Sequence, residues 1–168
     1  MAEHHSSQSF ICAIIPADGL STPPTRRAYI EDSITEVAFP MQPSNPLALK
    51  YAALILRCQN VTQTCKFYDR DSSITDWYYE AYVAQSEDMV IRRSNSITNI
   101  LKYNKTDQAR GDTLIMKNGP VNGSWETSPD VNIASLARTI WWYRGSGRDV
   151  STVFGERGLI RILGDLPS

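Results

Sequence analysis

Apolar residues recur at helical spacing in the C-terminal part of the chain. Ile133, Leu136, Ala137, Ile140 and Trp141 follow one another at i, i+3, i+4, i+7 and i+8, the pattern of one apolar helix face. The preceding Ser-Pro-Asp of residues 128–130 offers a cap, a first-turn proline and an acid near the positive helix end. The pattern predicts a helix from residue 129 to a stop at residue 145, and a second helix from residue 148 or 149 onward.

Strand-like alternation dominates the middle of the chain. In Thr75–Gln85 the two sides of the predicted strand are Trp77, Tyr79, Ala81, Val83 and Tyr78, Glu80, Tyr82, Ala84, and these residues have high β-propensity. Asp112–Lys117 is predicted as another strand, and the turn residues after it make Ser124–Thr127 its expected hairpin partner. A short strand is expected at Met89–Arg92.

Three further segments have helical character. The best is Leu47–Cys58, because Asn45 suits a cap and Pro46 suits the first turn. This segment is apolar almost all round, which predicts a buried central helix. Helical spacing also indicates short helices within Thr25–Val37 and Ser96–Tyr103.

The organisation predicted from these elements is one α+β domain covering residues 1–168, with a small antiparallel sheet packed against a buried helix and C-terminal helices. Residues 1–8 are polar and are expected to be unstructured. The first third of the chain is rich in loops, because six of the nine prolines fall there: Pro16, Pro23, Pro24, Pro40, Pro43 and Pro46.

Composition narrows the class of protein. With 17 Lys+Arg against 18 Asp+Glu, the net charge is -1, whereas sequence-independent nucleic-acid binding needs a basic face. No apolar run approaches the ~20 residues of a membrane span. The three cysteines are odd in number and no signal peptide is evident. The sequence therefore predicts an intracellular protein of the cytoplasm or nucleus that binds neither nucleic acid nor membrane.

Familiar catalytic motifs are missing from the sequence. The two histidines, His4 and His5, lie in the tail, and no zinc spacing or phosphate-binding glycine loop is found. Asp69 to Glu80 matches some oxygen-ligand positions of a calcium loop, but Ile74 occupies the position that requires glycine. Asp69 and Asp71 also have the spacing of phosphate-transferring aspartates. A solvated turn is the favoured interpretation, with no metal and no cofactor.

Glu80 is the best candidate for a general acid or base. It is flanked by Tyr78, Tyr79 and Tyr82, and an apolar wall would raise the pKa of its carboxyl group. The competing interpretation, which is favoured, places Glu80 on the outer side of its strand.

Trp142 is the best candidate for a binding residue. Counting about 100° per residue from Ile133, Trp142 points away from the apolar face. Arg138 lies one turn earlier on the same side and Tyr143 lies beside it. Arg144 and Arg148 flank a Gly-Ser-Gly loop that suits an anion, although internal ion pairs are the favoured use of these arginines.

Two functions follow from these candidates. The first is a non-catalytic binding or scaffolding module that uses an aromatic and arginine surface, including Trp77, to bind a protein partner or a second copy of the chain. The second is a cofactor-independent enzyme that uses Glu80 and tyrosine on an apolar small molecule. Its cavity would be lined by Trp77, Tyr79 and the predicted helix Leu47–Cys58. A pocket containing Glu80 would favour the enzyme, and a flat aromatic patch would favour the binder.

The C-terminal stretch resembles small uncharacterised proteins of mushroom-forming fungi. The resemblance rests on residues 136–150, LARTIWWYRGSGRDV, and on residues 153–157, VFGER. It implies an intracellular fungal protein. Because such proteins have no assigned activity, it transfers no catalytic residue.

Overall fold

The computed structural model describes residues 9–71, 77–85, 92–102, 108–119 and 129–146. Within these ranges the chain forms one sheet and the helices that pack on it. The elements are β1 Phe10–Ile15, α1 Arg27–Ser33, β2 Thr35–Phe39, α2 Ala48–Ile55, β3 Val61–Tyr68, β4 Tyr78–Ala84, α3 Ser96–Ile100, β5 Thr113–Asn118 and α4 Ile133–Ser146.

The sheet has five strands in the order β2-β1-β5-β4-β3, and every neighbouring pair is antiparallel. Strand β5 therefore lies at the centre, between strands that are far from it in sequence. The predicted α+β class with a small antiparallel sheet is confirmed.

Helices cover the two faces of the sheet unequally. On the first face, Ala13, Tyr79 and Ile115 contact buried residues of α1, α3 and α4. On the second face, Leu114 and Tyr82 join a separate apolar cluster with α2. Tyr79 and Tyr82 of β4 thus lie on opposite faces, as the alternation of side chains along a strand requires. The predicted division of β4 into two sides is confirmed.

Helix α2 is not buried all round, which corrects the prediction for residues 47–58. Ala48, Ala52 and Ala53 are buried, whereas Leu47 is 54% exposed and Leu54 is 71% exposed. A helix that is apolar on every side gives no sign of which face packs. Here the alanines pack against the sheet, because small side chains allow the helix to approach closely.

Helix boundaries differ from the sequence predictions around α1 and at the start of α4. The segment 25–37 contains α1 but then enters strand β2. Helix α4 begins at Ile133 and not near residue 129, because the Oδ1 of Asn132 accepts the backbone N–H of Ser135 at 3.0 Å and so caps it. Asp130 instead accepts the backbone N–H of Ile11 at 2.8 Å.

Other predicted elements lie outside the described residues. These are the strand at 89–92 apart from its last residue, the hairpin partner at 124–127, the helix after residue 147 and the tail 1–8. Arg92 itself is described and is not in a strand.

A fully buried asparagine ties the central strands to α3. The Nδ2 of Asn95 donates to the carbonyl oxygens of Ile15 at 2.9 Å and Gly111 at 3.0 Å. Its Oδ1 accepts the backbone N–H of Thr98 at 3.1 Å, which caps α3. One side chain thus satisfies backbone groups from three parts of the fold.

Candidate functional site

The residues that follow β3 are fixed to helix α4. Asp69 is 4% exposed, and its Oδ1 accepts the hydroxyl of Thr139 at 3.1 Å and the backbone N–H of Asp71 at 3.0 Å. The backbone N–H of Arg70 donates to the same Thr139 hydroxyl at 3.0 Å. Residues 69–71 are therefore held against one side of α4.

Asp71 and Arg138 form a two-bond ion pair at the surface. The Nε of Arg138 lies 2.8 Å from Oδ1 and its Nη2 lies 2.6 Å from Oδ2 of Asp71. The hydroxyl of Ser135 also donates to Oδ2 at 2.7 Å. The hydrogen bonds from Arg138 hold the pKa of Asp71 below its usual value.

Trp142 lies next to this pair and is half-buried. Its indole packs against the core of the first face, and the guanidinium of Arg70 lies 4.4 Å from the ring centroid, within range of a cation–π contact. We call the surface formed by Arg70, Asp71, Ser135, Arg138 and Trp142 the α4 surface.

Two of the predicted binding residues are core residues instead. Tyr143 is 2% exposed and Trp77 is 1% exposed. The hydroxyl of Tyr143 accepts the backbone N–H of Tyr68 at 3.2 Å, so its polar group is used inside the fold. The expectation that Tyr143 and Trp77 lie on a binding surface is wrong.

Arg144 connects α4 to the N-terminal third of the chain. Its Nε donates to the carbonyl oxygen of Pro24, and its guanidinium lies 5.1 Å from the ring centroid of Trp141. Arg138 forms an internal ion pair with Asp71, whereas Arg144 contacts a carbonyl oxygen and a ring and forms no ion pair with a described carboxylate. Arg148 lies outside the described residues.

Glu80 is held by its neighbours on the second face. Its Oε1 accepts the side-chain amide of Asn118, and its Oε2 lies 3.7 Å from the Nζ of Lys66. Burial, followed by the charge of Glu80, raises the pKa of Tyr82. Glu80 does not line the three clefts that contain Arg57, Pro24 and Asp112.

All three cysteines are free. Burial raises the pKa of the Cys12 and Cys65 thiols to about 12, so both remain protonated at neutral pH. Cys58, which is half-buried, is not joined to Cys65. In the described ranges no three side chains of the His, Cys, Asp and Glu types are placed to hold a metal ion.

Two arginines that were not among the predicted site residues line a cleft. Arg57 and Arg92 border a cavity of about 640 Å³ where α2 ends and β3 begins. The one sequence signal was the position of Arg57, directly after an apolar helix where glycine is usual. Arg92 comes from a different part of the chain, so only the fold brings the two together.

The chain was compared with protein-family models, with curated proteins and with solved structures, and none of them matches it. Among the described residues, no helix combines the length and the apolar character that crossing a bilayer requires.

Proposed function

We propose that this protein is a non-catalytic binding module that associates with a second copy of itself through the α4 surface. The observation that supports the proposal is the exposed Asp71–Arg138 pair beside the half-buried indole of Trp142. Tryptophan and arginine are the residue types that dominate interface energetics.

The α4 surface carries both positive and negative charge, which favours self-association over binding to a partner whose surface charge has a single sign. Arg138 is influenced by the charge of Glu31, and Asp71 by the charge of Arg27, so both signs lie close together. A two-fold axis brings each patch against its own copy. Arg138 of one copy then faces Asp71 of the other, and about 800 Å² per copy is the area that a stable contact needs.

The enzyme alternative has weaker support. Glu80 already accepts from Asn118 and pairs with Lys66. A general base needs access to the proton that it removes, and this carboxylate lines none of the clefts that contain Arg57, Pro24 and Asp112. We also propose a reducing compartment for the protein, because Cys58 and Cys65 are free.

Charge reversal tests the proposed contact. Arg138→Glu makes the Asp71–Arg138 site negative and Asp71→Arg makes it positive, so each variant alone is expected to be monomeric in analytical ultracentrifugation. An equimolar mixture of the two is expected to restore the dimer, because each copy then meets the opposite charge. Glu36→Arg, on the edge strand β2, is the control and is expected to leave the dimer intact.

Replacing Trp142 supplies a second measurement for the same proposal. Trp142→Ala is expected to weaken association by about 2 kcal/mol or more, with the chain still folded by circular dichroism. Trp141→Ala is the matched control, because Trp141 is also half-buried but lies under Arg144. A wild type that stays monomeric at its highest soluble concentration, or a Trp142→Ala variant that unfolds, contradicts the proposal.

A further inference from the structure

The cleft of about 640 Å³ beside α2 has the volume of a small-molecule site. Helix α2 contributes Ala53 and Leu54, the connection to β3 contributes residues 57–60, and Gln85 and Arg92 complete the described lining. The lining thus combines an apolar wall, amide side chains and two guanidinium groups. It lies at the end of the second face, whereas the α4 surface belongs to helices of the first face.

Positive charge in this cleft is not neutralised by the described residues. The described part of the lining contains no Asp, Glu or His, and neither Arg57 nor Arg92 forms an ion pair with a described carboxylate. The nearby Asp112 lines a separate cleft of about 350 Å³ together with Arg92, and its Oδ1 accepts the backbone N–H of Ala17. Two unpaired guanidinium groups in one concavity attract an anion.

Neighbouring arginines of the same region have structural partners, which sets Arg57 and Arg92 apart. Arg93 donates to the carbonyl oxygen of Asp18 at 2.9 Å, and Arg110 donates to the carbonyl oxygen of Arg92 at 3.2 Å. The Nε of Arg92, by contrast, is buried and has no hydrogen-bond acceptor among the described residues. A buried donor without an acceptor is costly, and an anion would supply an acceptor once the Arg92 side chain turned its Nε toward the cleft.

Arg57 occupies a backbone position that ordinarily belongs to glycine. Its φ is 56°, the one positive φ of a non-glycine residue in the described ranges. The N–H groups of Arg57 and Cys58 donate to the carbonyl oxygens of Leu54 and Ala53, the pattern of a helix that ends in a left-handed residue. A side chain here costs about 1 kcal/mol relative to glycine. A positive charge at a helix C-terminus offsets part of this cost, but that effect does not explain why Arg92 lines the same cleft.

We propose that this cleft binds the phosphate group of a small molecule, with Arg57 and Arg92 as its charged ligands and Leu54 in contact with the organic part. A phosphate monoester is close to a dianion at neutral pH, which matches two guanidinium groups better than a carboxylate does. The concave shape favours a small molecule over a flat phospholipid surface. The thiol of Cys58 donates to the carbonyl oxygen of Asn60 at 3.2 Å, so the site binds and performs no thiolate chemistry.

Phenyl phosphate and inorganic phosphate are suitable probes. We expect phenyl phosphate at about ten times its dissociation constant to raise the Tm of the wild type by about 3 °C. Inorganic phosphate is expected to bind more weakly, because it cannot contact Leu54. Sodium chloride at matched ionic strength controls for general effects of salt, which change the Tm of every variant alike.

Three variants make the test specific. Arg57→Gly removes the guanidinium and relieves the left-handed backbone, so the chain is expected to remain folded while the affinity for phenyl phosphate in calorimetry falls at least tenfold. Arg92→Gln is expected to cause a similar loss. Arg26→Gln makes the same charge change at an exposed arginine of another cleft and is expected to bind like the wild type.

Each contrary result overturns the proposal. Unchanged affinity in Arg57→Gly and Arg92→Gln would show that the two arginines are not ligands. An equal loss of affinity in Arg26→Gln would show that the effect comes from the net charge of the protein and not from these two arginines. Binding to vesicles of phosphatidic acid without binding to either soluble phosphate would assign the arginines to a membrane surface instead.

Discussion

Gly119 lies directly against the indole of Trp77. An added Cβ would stand 2.7 Å from two ring carbons of Trp77, and the indole cannot move aside easily because it is 1% exposed. We expect Gly119→Ala to lower the free energy of unfolding by about 1–3 kcal/mol, measured by urea denaturation.

The matched control for that change is Gly145→Ala. Gly145 lies in α4, and an added Cβ meets nothing within 4 Å. Alanine favours a helix over glycine by up to about 1 kcal/mol, so this variant is expected to be slightly more stable. Equal effects of the two substitutions would show that the Trp77 contact is not a constraint.

Asp18 makes stability depend on pH. Burial acts to raise its pKa, but hydrogen bonds from Ser96, Leu20 and Tyr29 outweigh burial and hold the pKa below 3.8. A carboxyl group whose pKa is lower in the folded than in the unfolded protein stabilises the fold at every pH above the unfolded-state pKa. This contribution is lost as the pH falls through the folded-state pKa. It is therefore fully present at pH 7 and declines below about pH 4.

The substitution Asp18→Asn tests this assignment. We expect it to lower the free energy of unfolding by about 1 kcal/mol at pH 7. The difference from the wild type should shrink as the pH approaches 3, because the wild-type carboxyl group then also loses its charge. A difference that stays constant from pH 7 to pH 3 would mean that the charge of Asp18 contributes nothing.

Among the elements, helix α2 shows how far a hydrophobic pattern can be used. The strand β4 was predicted correctly because alternate residues differ in where they point. In α2 Lys50 is the one charged residue, so the pattern gives little indication of which face packs against the sheet. The structure selects the face with Ala48 and Ala52 and leaves Leu49 and Leu54 exposed.

This arrangement predicts that the exposed side of α2 tolerates substitution and that the buried side does not. Ala52→Leu inserts a large side chain where Ala52 is fully buried and is expected to cost about 1–3 kcal/mol. Leu54→Gln changes a residue that is 71% exposed and is expected to alter the free energy of unfolding by less than about 0.5 kcal/mol. Thermal and urea denaturation of the two variants would measure this contrast, and the reverse order would contradict the packing of α2.

For the whole molecule, the sequence indicated the class of fold but not the order of strands. The expected partner of β5 was the nearby segment 124–127, because turn residues favour a local hairpin. Its observed neighbours are β1 and β4, and β1 lies about a hundred residues earlier in the chain. Local patterns contain no information about such distant pairing.

Prediction of the candidate site was limited by the same lack of long-range information. Arg138 and Trp142 belong to one helix, so their spacing placed both in one region. Their partners Arg70 and Asp71 come from the end of β3, and no periodicity connects these two segments. Tyr143 was misplaced because it was grouped with its neighbour Trp142. At about 100° per residue it lies about 80° from Ile133, on the apolar side of the helix, and it is buried there.

The central position of β5 also determines when the sheet can close during synthesis. Strands β1 and β2, and strands β3 and β4, each form an antiparallel pair that emerges from the ribosome before β5 does. Until residue 118 has been made, β1 and β4 each retain an unpaired edge, which is a template for wrong association. Folding therefore waits for a late strand that joins two early strand pairs. A nascent chain arrested before β5 exposes both edges, and this interval is when a chaperone would protect the protein most.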